Sequence, residues 1–307
     1  MQDSALISVA LPLALGIIML GLGLSLTIAD FKRVVVFPRA VVIGLVCQML
    51  LLPVVCFFVA SGLGLPPELA VGLMLLAASP GGATANLFSH LAKGDVALNI
   101  TLTAVNSVLS LFTMPFIVNF ALEHFMGEGK VIPLQFTKVV QVFVVVLGPV
   151  AIGMLVRRYR PGAATKMEKP VRILSALFLL LIVAASVARE RAHIVEFFRQ
   201  VGLAALVFNL LSMAVGYLLP LAARLPKRQA IAIGMEIGIH NGTLAIAIAG
   251  LLGSSVMAIP PAIYSLIMFF TAAVFGTLVA RGVHGDPVAA SPARAAGDGD
   301  GPPPAAA

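Results

Sequence analysis

Charge is what this sequence has least of: Asp, Glu, Lys and Arg make up 11% of its 307 residues, against 60% that are hydrophobic. A soluble domain carries roughly a quarter charged residues, so the composition excludes a soluble globular protein and predicts a polytopic membrane protein. Cysteine is scarce as well. The two present, Cys47 and Cys56, fall on one predicted helix about 13 Å apart along its axis, too far for a disulfide, and they reveal no redox compartment. HExxH, paired intramembrane aspartates and a nucleophile elbow are all missing, which argues against an intramembrane enzyme. His90, His124, His193 and His284 show no metal-ligand spacing. No cofactor and no transition metal are expected.

Long apolar runs fill the chain instead. Crossing a hydrocarbon core of ~30 Å takes about 20 residues, and nine such runs occur, at 5–28, 35–60, 67–92, 95–120, 131–157, 170–188, 200–222, 227–252 and 259–281. The first lacks a basic n-region and a small-residue cleavage site, so it reads as a retained span rather than a signal peptide. From about Gly285 the chain is rich in Ala, Pro, Gly and Asp without hydrophobic periodicity, and a disordered tail over 283–307 is expected.

The formal net charge is +7, which at first sight suggests an anionic partner such as nucleic acid. Its placement gives another cause. Lys32, Arg33 and Arg39 lie between spans one and two, Lys93 between three and four, and Arg157, Arg158, Arg160, Lys166, Lys169 and Arg172 around the fifth connection. Arg224, Lys227 and Arg228 precede span eight, and Arg281 follows span nine. The alternate loops hold few cations. The positive-inside rule then puts the N-terminus outside and the C-terminus in the cytoplasm. The basic balance is topological, and no nucleic-acid partner is expected.

Two spans carry sequence that a lipid-facing helix avoids. The third reads Ser79-Pro80-Gly81-Gly82-Ala83-Thr84-Ala85-Asn86, and the eighth reads Glu236-Ile237-Gly238-Ile239-His240-Asn241-Gly242-Thr243. Proline removes a backbone donor and paired glycines lower the cost of non-helical dihedrals. Unwound backbone at membrane depth survives only where protein or a water-filled cavity satisfies it. Each broken span is followed by one more span, so the interruptions correspond in two halves of inverted topology, which points to a transporter binding site between them. The fifth span then has no counterpart in the first half. Glycines also serve ordinary close packing of membrane helices.

Of the thirteen acidic residues, Glu236 alone lies deep in an apolar run. A charge at a helix centre costs roughly 2.5–3.5 kcal/mol on insertion scales, and no Lys or Arg occupies the middle of a span. A cation or a proton is left as its partner. Asn99, Thr103, Asn106 and Ser110, at spacings of four, three and four, put oxygens on one face of span four. That is the donor set a hard cation prefers, although such stripes also hold helices together. Gln48 is the amide in the middle of span two, five residues before Pro53. His240, one turn after Glu236, can hydrogen-bond it, meet a cation through an unprotonated nitrogen, titrate, or sit satisfied in the interior.

Taken together, Gly21-Leu-Gly-Leu-Ser-Leu-Thr-Ile-Ala-Asp30-Phe, Gln48 with Pro53, Ser79 to Asn86, Lys93-Gly-Asp-Val-Ala-Leu with the stripe from Asn99 to Pro115, and Glu236 to Gly242 resemble the bile acid:sodium symporters over all nine spans. The resemblance implies an all-α membrane protein of inverted repeats with two crossed discontinuous helices. It implies a panel domain (1–34 and 127–199) beside a core domain (35–126 and 200–282). Ten-span relatives imply that this chain lacks the first span, which explains the unmatched fifth. One sodium site would use Asn86, Asn99, Thr103 and Glu236; a second would use Gln48, Glu236, His240 and the carbonyls of Ile237 and Ile239. Ala85 and Asn99 stand where relatives often carry serine, and His240 where they often carry glutamine, which puts the second sodium in question.

The expected function is sodium-coupled uptake of an organic anion, bile acid-like or a small carboxylate such as pantoate or a keto acid, across the cell (inner) membrane. Gly82, Thr84, Asn241 and Gly242 are the expected substrate contacts, because half-helix N-termini present free N–H groups and positive dipole ends. A cation/proton antiporter with a related crossed core is the alternative, and a passive channel a further one. The substrate's identity and the oligomeric state are not encoded in these motifs.

Overall fold

A computed structural model describes residues 19–82, 84–127, 136–167 and 194–281, with isolated positions in 13–17 and 169–177. The regular elements are helices. A helical stretch over 19–25 and a short helix Ile28–Lys32 precede nine that we label α1 (Pro38–Gly62), α2 (Pro67–Ala78), α3 (Thr84–Leu91), α4 (Val96–Met126), α5 (Phe136–Tyr159), α6 (Ile194–Ala222), α7 (Lys227–Gly238), α8 (Gly242–Leu251) and α9 (Ile259–Ala280). Among the described residues four helices are long and apolar enough to cross a membrane: α1, α4, α6 and the one ending at Ala280. Part of the first expected span, most of the sixth, and the tail lie outside the described residues.

Helix boundaries follow local chemistry. Proline opens α1, α2 and α9 at the first turn, where its missing N–H costs nothing. Asp95 caps α4 by accepting the Leu98 N–H at 3.1 Å. Inside α1 the backbone widens into a π turn over Cys47–Leu51, just ahead of Pro53, whose ring and lost N–H are incompatible with the regular ladder. That turn carries Gln48.

Both expected interruptions are present and they meet. Pro80 drives Ser79 into an extended conformation (φ −73°, ψ 149°), which ends α2. On the other side α7 stops at Gly238, and Asn241 starts α8 by accepting the Leu244 N–H at 3.0 Å. Gly81 and His240 then pair as an isolated antiparallel bridge. The Gly82 N–H donates to the Ile239 carbonyl at 2.7 Å, and the Asn241 N–H donates to the Pro80 carbonyl at 2.8 Å. Each break satisfies backbone groups of the other, which is how unwound chain is tolerated at membrane depth. The antiparallel sense means the two breaks pass in opposite directions.

Around this crossing, α2 packs along α4 while α6 packs along α7 and α9. The order long helix, broken helix, long helix occurs twice, as α1 to α4 and as α6 to α9. Three contacts tie the basic loops into one end of the bundle. Arg39 donates to the Ala223 carbonyl, Lys227 to the Arg281 carbonyl, and the Asp95 N–H to the Arg228 carbonyl. Glu68, Phe125 and Phe197 line a cleft at the other end.

Candidate functional site

Glu236 is on the last turn of α7, completely buried. Its carboxylate reaches across to α4, where the Thr103 hydroxyl donates to Oε2 at 2.7 Å and the Asn106 amide to Oε1 at 3.3 Å. Both donors are neutral. Among the described residues the ion pair is Arg33 with Asp30, far along the chain from this carboxylate. The spacing of Thr103 and Asn106 on one helical face makes this two-point grip possible.

Among the described residues, four buried polar atoms around the crossing have no hydrogen-bond partner: Asn99 Oδ1, Asn106 Oδ1, Gln48 Oε1 and His240 Nε2. Leaving such a group unpaired costs about 1–3 kcal/mol, so a set of them in one place needs an explanation. The amide nitrogens are spent elsewhere. Asn99 Nδ2 donates to the Ala232 carbonyl at 2.7 Å and Gln48 Nε2 to the Ser79 carbonyl at 2.7 Å. Each amide is thereby oriented with its oxygen left over. Three oxygens with a carboxylate fit a hard monovalent cation, by the logic that governs other oxygen-liganded ions.

Backbone oxygens are freed by the same break. In a continuous helix the Asn241 N–H would donate to the Ile237 carbonyl; it donates to Pro80 instead. The Ile239 carbonyl, also expected as a ligand, receives the Gly82 N–H and keeps its second lone pair. Between them, the Gly238 carbonyl takes the Asn209 amide at 2.9 Å and the Tyr264 hydroxyl at 3.0 Å. Thr271 in turn donates to Asn209 Oδ1.

His240 is held by its faces. Its ring stacks on Phe208, 5.7 Å between centroids, and meets Tyr264 edge-on at 5.4 Å. Nδ1 lies 3.4 Å from the Ser79 carbonyl, which Gln48 also uses. A carbonyl can only accept, so this contact places the proton on Nδ1 and leaves a lone pair on Nε2. The residue is half satisfied: Nδ1 is engaged, as an interior histidine's would be, and Nε2 is left over, as a cation contact would need.

The expected substrate contacts border the crossing, with one correction. The N–H groups of Gly82 and Asn241 are not free for an anion, because the two breaks use them to bond each other. The Gly242 N–H approaches the His240 carbonyl at 3.0 Å, and its Cα packs so tightly on the Ser265 hydroxyl that a side chain would overlap it. Thr84 is exposed, and Asn241 is half-buried. Asn86 stands on the first turn of α3, also half-buried. A narrow cleft runs beside the crossing, lined by Met19, Leu22, Pro80, Ser107, Val150 and Asn241 among others.

Sequence reasoning placed Asn106 on the right stripe without assigning it to the carboxylate. It missed the Ser79 carbonyl, Gly81, Asn209 and Tyr264. Asn209 and Tyr264 carried a usable signal, as polar groups deep in apolar spans; the carbonyl and the glycine carried none.

The sequence profile of the Sodium Bile acid symporter family matches residues 12–197. An uncharacterized sodium-dependent transporter of Bacillus subtilis, YocS, is 33% identical over 268 residues, covering 85% of this chain and 79% of its own. A chloroplast protein of Oryza sativa described as a probable sodium/metabolite cotransporter is 26% identical over 85% of this chain and 63% of its own. The human ileal sodium/bile acid cotransporter is 25% identical over 89% of this chain and 79% of its own.

Proposed function

The chain belongs to the Sodium Bile acid symporter family and is a sodium-dependent transporter, not an enzyme, and from that premise we propose that sodium drives uptake of an organic anion through the crossing of the two broken helices. The observation that carries this reading is Glu236, wholly buried, bonded among the described residues by neutral donors alone, and accompanied by amide oxygens that no described group uses. Sodium supplies the missing charge and the missing partner together.

In this reading one sodium is held by Glu236, Thr103, Asn99 and Asn86, with Asn106 steadying the carboxylate. A second, weaker site lies between Gln48, Glu236, His240 and the carbonyls of Ile237 and Ile239, with a ring nitrogen at His240 where an amide oxygen would suit sodium better. The anion is a bile acid-like molecule or a small carboxylate such as pantoate or a keto acid. It docks at Thr84, Asn241 and Gly242, beside the cleft that Pro80 and Asn241 share. Positive charge from the starts of α3 and α8 favours an anion there. The two breaks stay bonded to each other through Gly82 and Asn241, and access to the crossing alternates as the core (35–126 and 200–282) moves against the panel (1–34 and 127–199).

The end of the bundle that carries the basic loops faces the cytoplasm by the positive-inside rule. Transport from the opposite end is inward, across the cell (inner) membrane. A thermal-shift screen of organic anions with and without sodium identifies the substrate, and uptake of any sodium-dependent hit into proteoliposomes tests the assignment. Glu236→Ala is expected to abolish sodium-dependent uptake; full uptake in that variant refutes the reading. Sodium-driven proton flux with no organic substrate would identify a cation/proton antiporter instead.

A further inference from the structure

At the basic end of the bundle, the short helix Ile28–Lys32 and the end of α5 enclose an open cleft of about 590 Å³. Lys32, Arg157 and Arg158 line it together with Thr27, Ile28 and Met154. No acidic side chain among the described residues lines it. Asp30, the nearest acid in sequence, turns away: its carboxylate accepts the Thr27 N–H at 2.8 Å, the Thr27 hydroxyl at 2.7 Å and the Arg33 guanidinium at 2.8 Å. The two arginines of the cleft are held in place. Arg157 donates to the Thr165 hydroxyl, and Arg158 lies over the Tyr159 ring with 5.5 Å to its centroid.

This cleft and the narrow one at the crossing are bordered by the same two segments of chain. Val150, which lines the inner cleft, and Met154 and Arg157, which line the outer one, stand at i, i+4 and i+7 on one face of α5. Opposite them, Met19 and Leu22 give way to Thr27 and Ile28. Gly23 and Gly153 bring the two segments together, since a Cβ on either would overlap the other segment's backbone. The distance from Val150 to Arg157 along the helix is about 10 Å. The positive-inside rule accounts for cations on these loops, but not for three of them converging on one concavity with an apolar wall.

We propose that this cleft is a second anion site, separate from the crossing, which receives a small carboxylate- or phosphate-bearing solute leaving it toward the cytoplasm. The inference rests on the reading of the crossing as an organic-anion path. Ile28 and Met154 suit the apolar body of such a solute, and Lys32, Arg157 and Arg158 its charged end. A phospholipid headgroup offers the same chemistry; the solute is favoured because the segments that wall the cleft, 19–28 and α5, also border the crossing beside Pro80 and Asn241.

The test uses the full chain in neutral detergent, in sodium-free choline buffer at low ionic strength, titrated with choline citrate as the probe and followed by calorimetry. Saturable citrate binding is expected in the absence of sodium. Lys32→Gln and Arg158→Gln should each weaken it about tenfold, while Arg160→Gln, at a cation outside the cleft, leaves it unchanged. Glu236→Gln should lose sodium-dependent uptake yet keep citrate binding, so failure of the crossing assignment and failure of this site register separately. Equal citrate affinity in wild type, Lys32→Gln and Arg158→Gln overturns the proposal, as does equal weakening by Arg160→Gln. Retention of phosphatidylglycerol by wild type and its loss from Arg158→Gln in nanodiscs, with no citrate binding in wild type, makes this a lipid site and also overturns it.

Discussion

The carboxylate of Glu236 rests against the bare Cα of Gly81, so closely that a methyl group there would overlap it. One broken helix therefore supplies the charge and the other supplies the room for it. The contact also explains why the breaks come as a pair, since neither the buried acid nor the unwound backbone is tolerable without the facing segment.

Gly81→Ala is expected to push the carboxylate off Thr103 and Asn106 and to abolish the sodium-induced rise in Tm, measured with sodium against choline chloride. Gly62→Ala is the control, because a methyl group there meets nothing. A wild-type sodium response in Gly81→Ala would show that the carboxylate does not bind the ion from this position.

Thr103→Val keeps the shape of the side chain and removes the hydroxyl that donates to Glu236 at 2.7 Å. A hydrogen bond to a charged group is worth about 1.5–3 kcal/mol, which predicts sodium affinity roughly 10- to 100-fold weaker. Thr103→Ser should stay close to wild type. The sodium dependence of uptake reads both.

His240→Gln exchanges a ring nitrogen for an amide oxygen, the atom a hard cation prefers. The expected outcome is a sodium Hill coefficient that rises from about one toward about two, the ceiling for two ions. An unchanged coefficient would mean that His240 does not limit the second site.

Asn209→Ala and Tyr264→Phe each remove one of the two donors on the Gly238 carbonyl. In membrane proteins single interhelical bonds contribute about 0.6 kcal/mol, with an upper end near 1.7, so each variant should lose about 1 kcal/mol of unfolding free energy. The double variant should lose more than the sum, because the second loss leaves a buried carbonyl bare. Strict additivity in that cycle would indicate that the two donors act independently.

Much of this was legible in the residues. Pro80 with Gly81 and Gly82, and the polar run from Glu236 to Thr243, mark the two interruptions because each breaks a local rule inside an apolar span. Glu236 stands out because burial of one carboxylate is costly wherever it occurs. The stripe Asn99, Thr103, Asn106 is visible because helical periodicity is local. The N–H groups of Gly82 and Asn241 read as free donors in the sequence, and the structure bonds each to the facing break: a loose donor can be inferred from a break, but its partner belongs to another segment.

The sequence by itself determined that this is a membrane protein with two broken spans, one acid deep in an apolar run and its cations gathered on alternate loops. These follow from composition, period and the properties of single residues. Only the tertiary structure decided that the breaks bond each other, that Gly81 makes room for Glu236, and that Gln48 and His240 share the Ser79 carbonyl. Those relationships join residues up to 161 positions apart. They depend on which faces pack together, a choice settled by burial over the whole bundle and written in no single stretch of chain.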